Sequence, residues 1–208
     1  MENKVELLGY YGGDLEHACS AWTSTSRSLT EEKRARIPKL LQHLAENGHE
    51  TPFEKSGLHF LVDTEIASHI HIIKHRIGVS VNGESARYKE LKEDKYYIPS
   101  DWPDYWQDSL KQHTEAGNAF YHECIDDLCF IGYDRKRAKE SARFFKSYNS
   151  QIEADVMFNF RSFVHFQRLR NSEHAQVEIR NIAQQMLTLV QQIENNPFQH
   201  SLKAFNLC

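Results

Sequence analysis

The stretch from Leu58 to Tyr88 restricts the fold of this chain more than any other. Leu58 to Val62 alternates with the period of a strand, and Ile66, Ile70 and Ile73 recur at helical spacing. The sequence therefore predicts a strand over Leu58–Val62 that gives way to a helix over Glu65–Ile73. That helix delivers Lys74, His75 and Arg76 in a row, followed by Gly78, Ser80, Asn82, Gly83, Ser85 and Arg87. Three adjacent cationic or potentially cationic groups repel one another. An anion held between them would relieve the repulsion, and arginine grips a phosphate through two parallel hydrogen bonds. Gly83, beside Asn82, predicts a tight turn whose backbone N–H groups face such an anion. Lys74-His75-Arg76 alone would read as a solvated basic turn; the whole pattern reads as an anion or nucleotide site.

The 208 residues suit one domain spanning 1–208 with a sizeable core. A net charge of −4 argues against a general nucleic-acid binder, so the basic residues that matter are local clusters. The 12 histidines show no ligand spacing, and no metal is expected. Cys19, Cys124, Cys129 and Cys208 form no Cys-x-x-Cys pair and are expected to be reduced thiols in a cytoplasmic protein. No apolar run approaches the length of a membrane span and no signal peptide opens the chain, so no membrane partner is expected.

Elsewhere the pattern predicts a strand at Lys4–Leu8 and a turn at Gly9–Gly13. A helix over Asp14–Ser24, capped by Asp14, comes next, then one capped by Thr30 and broken near Pro38. Residues 49–54, His-Glu-Thr-Pro-Phe-Glu, read as a polar loop or a ligand edge, with Thr51 extended because it precedes Pro52. The polar, aromatic run 88–106 reads as a lid or a surface connection. Helices are expected over Asp104–Ile131, Arg135–Phe145 and about 173–194, the last burying Val177, Ile182, Met186, Leu189 and Ile193.

The second informative stretch is 149–174. No Gly or Pro interrupts Gln151–Arg170, and the pattern predicts one helix. Eleven residues is close to three turns, so positions 159, 163, 166 and 170 share one side, while Arg161, His165 and Arg168 share another. Such a helix is costly to bury without anionic partners. The competing reading is a helix with phenylalanines in the core and cations in solvent.

These segments together resemble the flavin-dependent thymidylate synthases, the ThyX family. The family signature is matched by Lys74-His75-Arg76 and by Ser80-Val-Asn82-Gly-Glu-Ser85-Ala-Arg87. Lys74 stands for the first Arg, and one additional residue lies before Ser80. The segment 49–54 matches a second motif. Asn159, Arg161, Ser162, His165, Phe166, Leu169, Arg170 and His174-Ala-Gln-Val-Glu-Ile179 match a third. Ile70 and His71 replace a family Arg-Gln pair, and Glu153 stands where the family often has Arg or Gln.

The resemblance implies an α/β (α+β) fold, a mostly antiparallel sheet flanked by helices. It implies synthesis of dTMP from dUMP, with 5,10-methylenetetrahydrofolate as carbon donor and FAD, reduced by NADPH, as hydride source. It also implies a homotetramer whose active sites are shared between chains. Arg170 matches the catalytic position. Glu84, Ser85, Ala86, Arg87 and Arg170 match dUMP-binding positions, with His71 as a donor in place of Gln. Lys74, His75, Arg76, His49, Asn159, Arg161, His165 and Ser24 match flavin-binding positions.

The residues suit that chemistry. Uracil C5 becomes electron-rich either by thiolate addition at C6 or by stabilisation of an enolate-like anion. The first route needs an activated cysteine, and none lies in the three segments. Two other readings stay open: a catalytically idle nucleotide-binding relative, and a non-enzymatic module using Arg135–Lys146 and Arg161–Arg170 as basic patches. If the enzyme reading holds, a variant with all four cysteines replaced by serine folds, binds both ligands and keeps its turnover. Complete loss of turnover in a folded, ligand-competent variant would refute that.

Overall fold

A computed structural model describes every residue except Arg27 and Ala86. The elements run in the order β1 (Lys4–Tyr11), α1 (Asp14–Trp22), α2 (Glu31–Glu46), β2 (Gly57–Glu65), α3 (Ile66–Ile73), β3 (Val79–Gly83), α4 (Asp104–Phe130), α5 (Arg135–Ala142), β4 (Gln151–Asn159), α6 (Phe160–Arg170), α7 (Val177–Gln191) and α8 (Gln199–Ala204). Single 3₁₀ turns occupy Thr51–Glu54 and Arg143–Phe145. The described strands form an antiparallel sheet in the order β1-β2-β4-β3, the mixed helix and sheet class expected. Backbone bonds from Asn159 N to the Gly78 carbonyl (2.8 Å) and from Glu84 N to the Glu153 carbonyl (2.7 Å) set the register of β3 on β4. Internal contacts divide the chain into two compact units. Unit 1 comprises Met1–Asn3, Asp63–Ile72 and Asn82–Ala154; unit 2 comprises Lys4–Val62, Ile73–Val81 and Asp155–Cys208.

In unit 2, Leu58, Phe60 and Val62 of β2 and Val156 and Phe158 of β4 point to one buried face. Phe160, Phe163 and Phe166 of α6 and Ile179, Ile182, Met186 and Val190 of α7 are buried with them. Phe60 stacks on Phe163 at 6.0 Å, and Phe158 lies 5.1 Å from Phe166. Each fully buried ring contributes on the order of 2–3 kcal/mol, which makes this aromatic layer the dominant stabilising term of the unit.

Several local expectations are corrected. β1 continues to Tyr11, so Gly9–Tyr11 is strand and only Gly12-Gly13 turns. Gly13 is required there by close approach, because a Cβ would collide with Pro197. Asp14 does not cap α1. Its carboxylate accepts from the backbone N–H groups of His200 and Ser201 (both 2.8 Å), so it caps α8 from 186 residues away. Thr30 does cap α2, accepting from Lys33 N at 3.3 Å. Pro38 does not break α2, which packs against α1 and α8 along its length; tertiary packing overrides the one lost hydrogen bond. Thr51 enters a 3₁₀ turn rather than an extended segment. Val177 is exposed, Leu189 and Ile193 are only half-buried, and Ile182 and Met186 are buried as expected.

The largest correction concerns Gln151–Arg170, which is a strand followed by a helix rather than one helix. Burial of Ala154, Val156 and Phe158 follows period two, and the helical period begins only at Phe160. The proposed Asn159–Arg170 polar side is absent: Phe163 and Phe166 between them are fully buried.

In unit 1, Tyr121 and Ile125 of α4 pack on Ala138 and Ala142 of α5, with Leu91, Cys124, Leu128 and Cys129 against them. Glu65, 3% exposed, caps α3 by accepting from Ser68 N (3.0 Å) and is further held by Asn3 Nδ2 (2.5 Å) and Thr64 Oγ1 (3.0 Å).

His17 in unit 2 is fully buried among Phe53, Phe160 and Phe198. Ser201 Oγ donates to Asp14 (2.6 Å), so it accepts from His17 Nδ1–H (2.8 Å), and His17 Nε2 accepts from Ser56 Oγ (2.7 Å). Burial lowers the pKa of His17 to about 4. The unfolded chain, with histidine near 6.5, binds the proton first, so folding stability falls as pH drops from 6.5 towards 4 and is unaffected above 6.5. We expect His17 alone to remove about 2 kcal/mol between pH 7 and pH 5. Urea unfolding of the native chain and a His17→Gln variant at both pH values measures this; an equal pH dependence in the two proteins would refute it.

Candidate functional site

The strand-to-helix junction at Asn159 organises the candidate residues of unit 2. Asn159 leaves β4 in extended conformation and caps α6, its Oδ1 accepting from Ser162 N at 2.8 Å. Asn159 N donates to the Gly78 carbonyl, and Ser162 Oγ donates to the Ile77 carbonyl at 2.6 Å. These bonds tie the loop that follows Lys74-His75-Arg76 to the start of α6. Gly78 supplies the tight turn (φ +63°) that was expected at Gly83; Gly83 ends β3.

Along α6 the cations have different partners. Arg161 Nε donates to Glu50 Oε2 at 2.9 Å and its Nη1 to Glu54 Oε1 at 2.5 Å, while Arg168 lies 3.5 Å from Glu50. The acidic residues of the 49–54 segment thus clamp Arg161, and their hydrogen bonds, Glu54 first, raise its pKa. Arg170, half-buried, has no carboxylate partner among the described residues; its Nε donates to His75 Nε2 at 3.1 Å. The His75 ring sits edge-on to Phe166 (5.0 Å) and to the exposed His165 (5.9 Å). Lys74 and Arg76 are exposed and lack ion-pair partners among the described residues. His49 is exposed; its backbone N donates to the Leu44 carbonyl (2.9 Å). Ser24, also exposed, donates to the Ala21 carbonyl (3.0 Å) at the end of α1. Among the described residues, neither side chain hydrogen-bonds to Asn159, Ser162 or Gly78. His75 thus meets Arg170 and His165 along α6, while Asn159 at the start of the helix holds the loop that follows His75 and Arg161 pairs with the carboxylates of the 49–54 segment.

Unit 1 carries the other candidates. Ser85 forms a turn in which its Oγ accepts from Arg87 N (3.3 Å) and its carbonyl from Tyr88 N and Lys89 N (both 3.0 Å). Arg87 Nε donates to Glu140 Oε1 of α5 at 2.8 Å, and this hydrogen bond holds the Glu140 pKa below its ordinary value. Glu84 pairs with Lys89 (2.8 Å). His71 is half-buried at the last turn of α3. Ala86 lies outside the described residues. Sequence reasoning missed the anchoring of the loop after Arg87. Lys146, 4% exposed, binds Asp94 (2.5 Å) and Asn118 (2.8 Å), and His122 approaches both Asp94 (3.0 Å) and Glu90 (3.6 Å). The run of charge from Lys89 to Lys95 was the available signal. Glu153 is not isolated: Lys95 lies 3.7 Å away.

A family profile described as "Thymidylate synthase complementing protein" matches residues 6–194. The chain belongs to this family. Among curated proteins, the flavin-dependent thymidylate synthase of Pseudothermotoga lettingae is 31% identical over 184 residues, covering 86% of this chain and 80% of that relative. The flavin-dependent thymidylate synthase of Clostridium tetani is 29% identical over 189 residues, covering 85% and 74%. Among solved structures, a UMP/dUMP methylase, PolB, from Streptomyces cacaoi bound with 5-Br dUMP superposes with a TM-score of 0.80. It is 26% identical, and the match covers 99% of this chain and 95% of that one. Family membership thus agrees with the motifs read from the sequence.

Gly78→Ala tests that junction. A Cβ at Gly78 would collide with the Asn159 amide and the Ser162 hydroxyl, in a backbone conformation that side chains disfavour. We expect a loss of about 2–4 kcal/mol in urea unfolding; a loss under about 0.5 kcal/mol would show that the junction does not depend on this approach.

Proposed function

We propose that this family member is a flavin-dependent thymidylate synthase. It converts dUMP to dTMP by reductive methylation, using 5,10-methylenetetrahydrofolate as carbon donor and FAD reduced by NADPH. The observation that carries the reading is Arg170 on α6, a half-buried guanidinium held by an imidazole rather than a carboxylate. Its charge is not neutralised, so it can stabilise the enolate-like uracil whose C5 must attack the one-carbon unit. The absence of a cysteine from the motifs favours this route over thiolate addition.

The residues fit a flavin dinucleotide. Lys74 and Arg76 are exposed cations without ion-pair partners among the described residues, as a pyrophosphate requires. Asn159 caps α6, and His165 of the same helix lies edge-on to His75. When bound and reduced, the flavin supplies the hydride that takes the one-carbon unit to the methyl level. His49 and Ser24 are retained as outer flavin contacts. Ser85 and Arg87 anchor the nucleotide phosphate and sugar, with Glu84 and His71 as further dUMP contacts, and Arg87 exchanges Glu140 for the phosphate on binding. The chain acts as one catalytic domain and assembles as a homotetramer whose sites are shared between chains; light scattering at four times the mass of one chain is the expected result.

A second reading concerns the acceptor. The similar Streptomyces cacaoi structure is described as a UMP/dUMP methylase, which favours testing UMP as a second substrate.

The purified chain should be yellow, and NADPH should bleach its flavin. Arg170→Ala is expected to lower kcat about 100-fold or more at saturating dUMP, because a transition-state interaction is lost. Arg87→Ala is expected to weaken dUMP binding by about 1.5–3 kcal/mol with kcat largely kept. Near-normal kcat for Arg170→Ala with intact flavin would remove the activation role, and a colourless chain that makes no dTMP would remove the enzyme reading.

A further inference from the structure

We propose that His75 is a positioning residue that fixes the Arg170 guanidinium through Nε, leaving both Nη groups to the uracil; this rests on the reading of Arg170 given above. Arg170 Nε–H points at His75 Nε2 at 3.1 Å. A guanidinium nitrogen has no lone pair to offer, so His75 Nε2 must be the acceptor and the imidazole carries its proton on Nδ1. A protonated His75 would present a second cation to Arg170 and could not accept.

The placement of His75 is built rather than incidental. Two bonds, two and three residues downstream, Ser162 Oγ to the Ile77 carbonyl and Asn159 N to the Gly78 carbonyl, fasten its loop to α6. Phe166, fully buried on the same helix, supports the ring edge-on at 5.0 Å. Arg170 is the last residue of α6. Without a partner, its long side chain at a helix end would sample many rotamers, and ordering it at the moment of reaction would cost entropy. A carboxylate could hold it equally well but would cancel the charge that the developing enolate needs. A neutral imidazole orients the guanidinium and leaves its charge intact. The charged and titratable neighbours agree with an unprotonated ring: Arg170 and His165 face it from α6, and Lys74 and Arg76 flank it in sequence.

The test uses the full chain and two variants. In the ligand-free protein, ¹⁵N spectra should show His75 with Nδ1 protonated and Nε2 bare at pH 7.5, and a slowly exchanging Arg170 Nε–H. His75→Leu should abolish that slow exchange; His75→Gln, whose carbonyl oxygen can accept, should restore it. In turnover at saturating FAD, His75→Leu should lower kcat on the order of 100-fold, with KM for dUMP changed less than about threefold. His75→Gln should recover at least about tenfold of the loss.

An unchanged Arg170 Nε–H signal in His75→Leu would overturn the proposal, as would a Nε2-protonated imidazole in the native chain. A His75→Leu variant that keeps kcat at saturating FAD, or that loses only dUMP affinity, would also overturn it, because His75 would then not act through Arg170. If His75→Leu does not fold, the native-chain spectra and His75→Gln still decide. A native chain that makes no dTMP would sink the enzyme reading and leave the spectroscopic arm to judge the His75–Arg170 contact alone.

Discussion

The candidate geometry of unit 2 depends on one capping interaction. Asn159 ends a strand, starts a helix and grips the loop after Arg76, all through its own backbone and one amide side chain. Without the cap, the first N–H groups of α6 would lie unsatisfied beside a buried aromatic layer. The helix direction set at Asn159 determines where Arg161, His165 and Arg170 project, and the loop bonds determine where His75 meets them. Gly78 belongs to the same device, since only a residue without a side chain lets the loop lie against the Asn159 amide.

The sequence was legible where chemistry is local and less so where two periods overlap. The three motifs identified the family, the α+β class and the strand-to-helix passage at Glu65 without any coordinates. The passage at Asn159 was missed because Gln151–Arg170 has no Gly or Pro to mark it, and Asn159, Phe163, Phe166 and Arg170 satisfy a helical count across the true boundary. Asn159 followed by Ser162 was a cap signal inside a supposed helix. The period-two burial of Ala154, Val156 and Phe158 was the other. Asp14 illustrates a different limit. It has the composition of a local cap, yet it serves α8 at the far end of the sequence, a pairing that only tertiary packing determines.

Electrostatics modifies the reading of the cationic clusters. Sequence alone suggested that Arg161 and Arg87 await anionic ligands. In the structure each already has a carboxylate: Glu50 and Glu54 for Arg161, Glu140 for Arg87. All these groups are partly solvated, so each pair is weak and can be exchanged for a phosphate without a large penalty. The carboxylates keep the guanidinium groups ordered and keep like charges apart in the ligand-free chain.

The proposed roles divide the labour among three arginines. A binder gains from a carboxylate partner, because the incoming phosphate brings its own charge and needs only a pre-ordered fork. An activator does not, because the anion it must favour develops during the reaction and any resident carboxylate would already have cancelled the field. Among the described residues, Arg170, the proposed activator, has an imidazole where Arg87 and Arg161 have carboxylates. The partner, more than the arginine itself, distinguishes the roles: carboxylates hold cations ready for ligands that arrive charged, and a neutral acceptor holds one ready for charge that is yet to form.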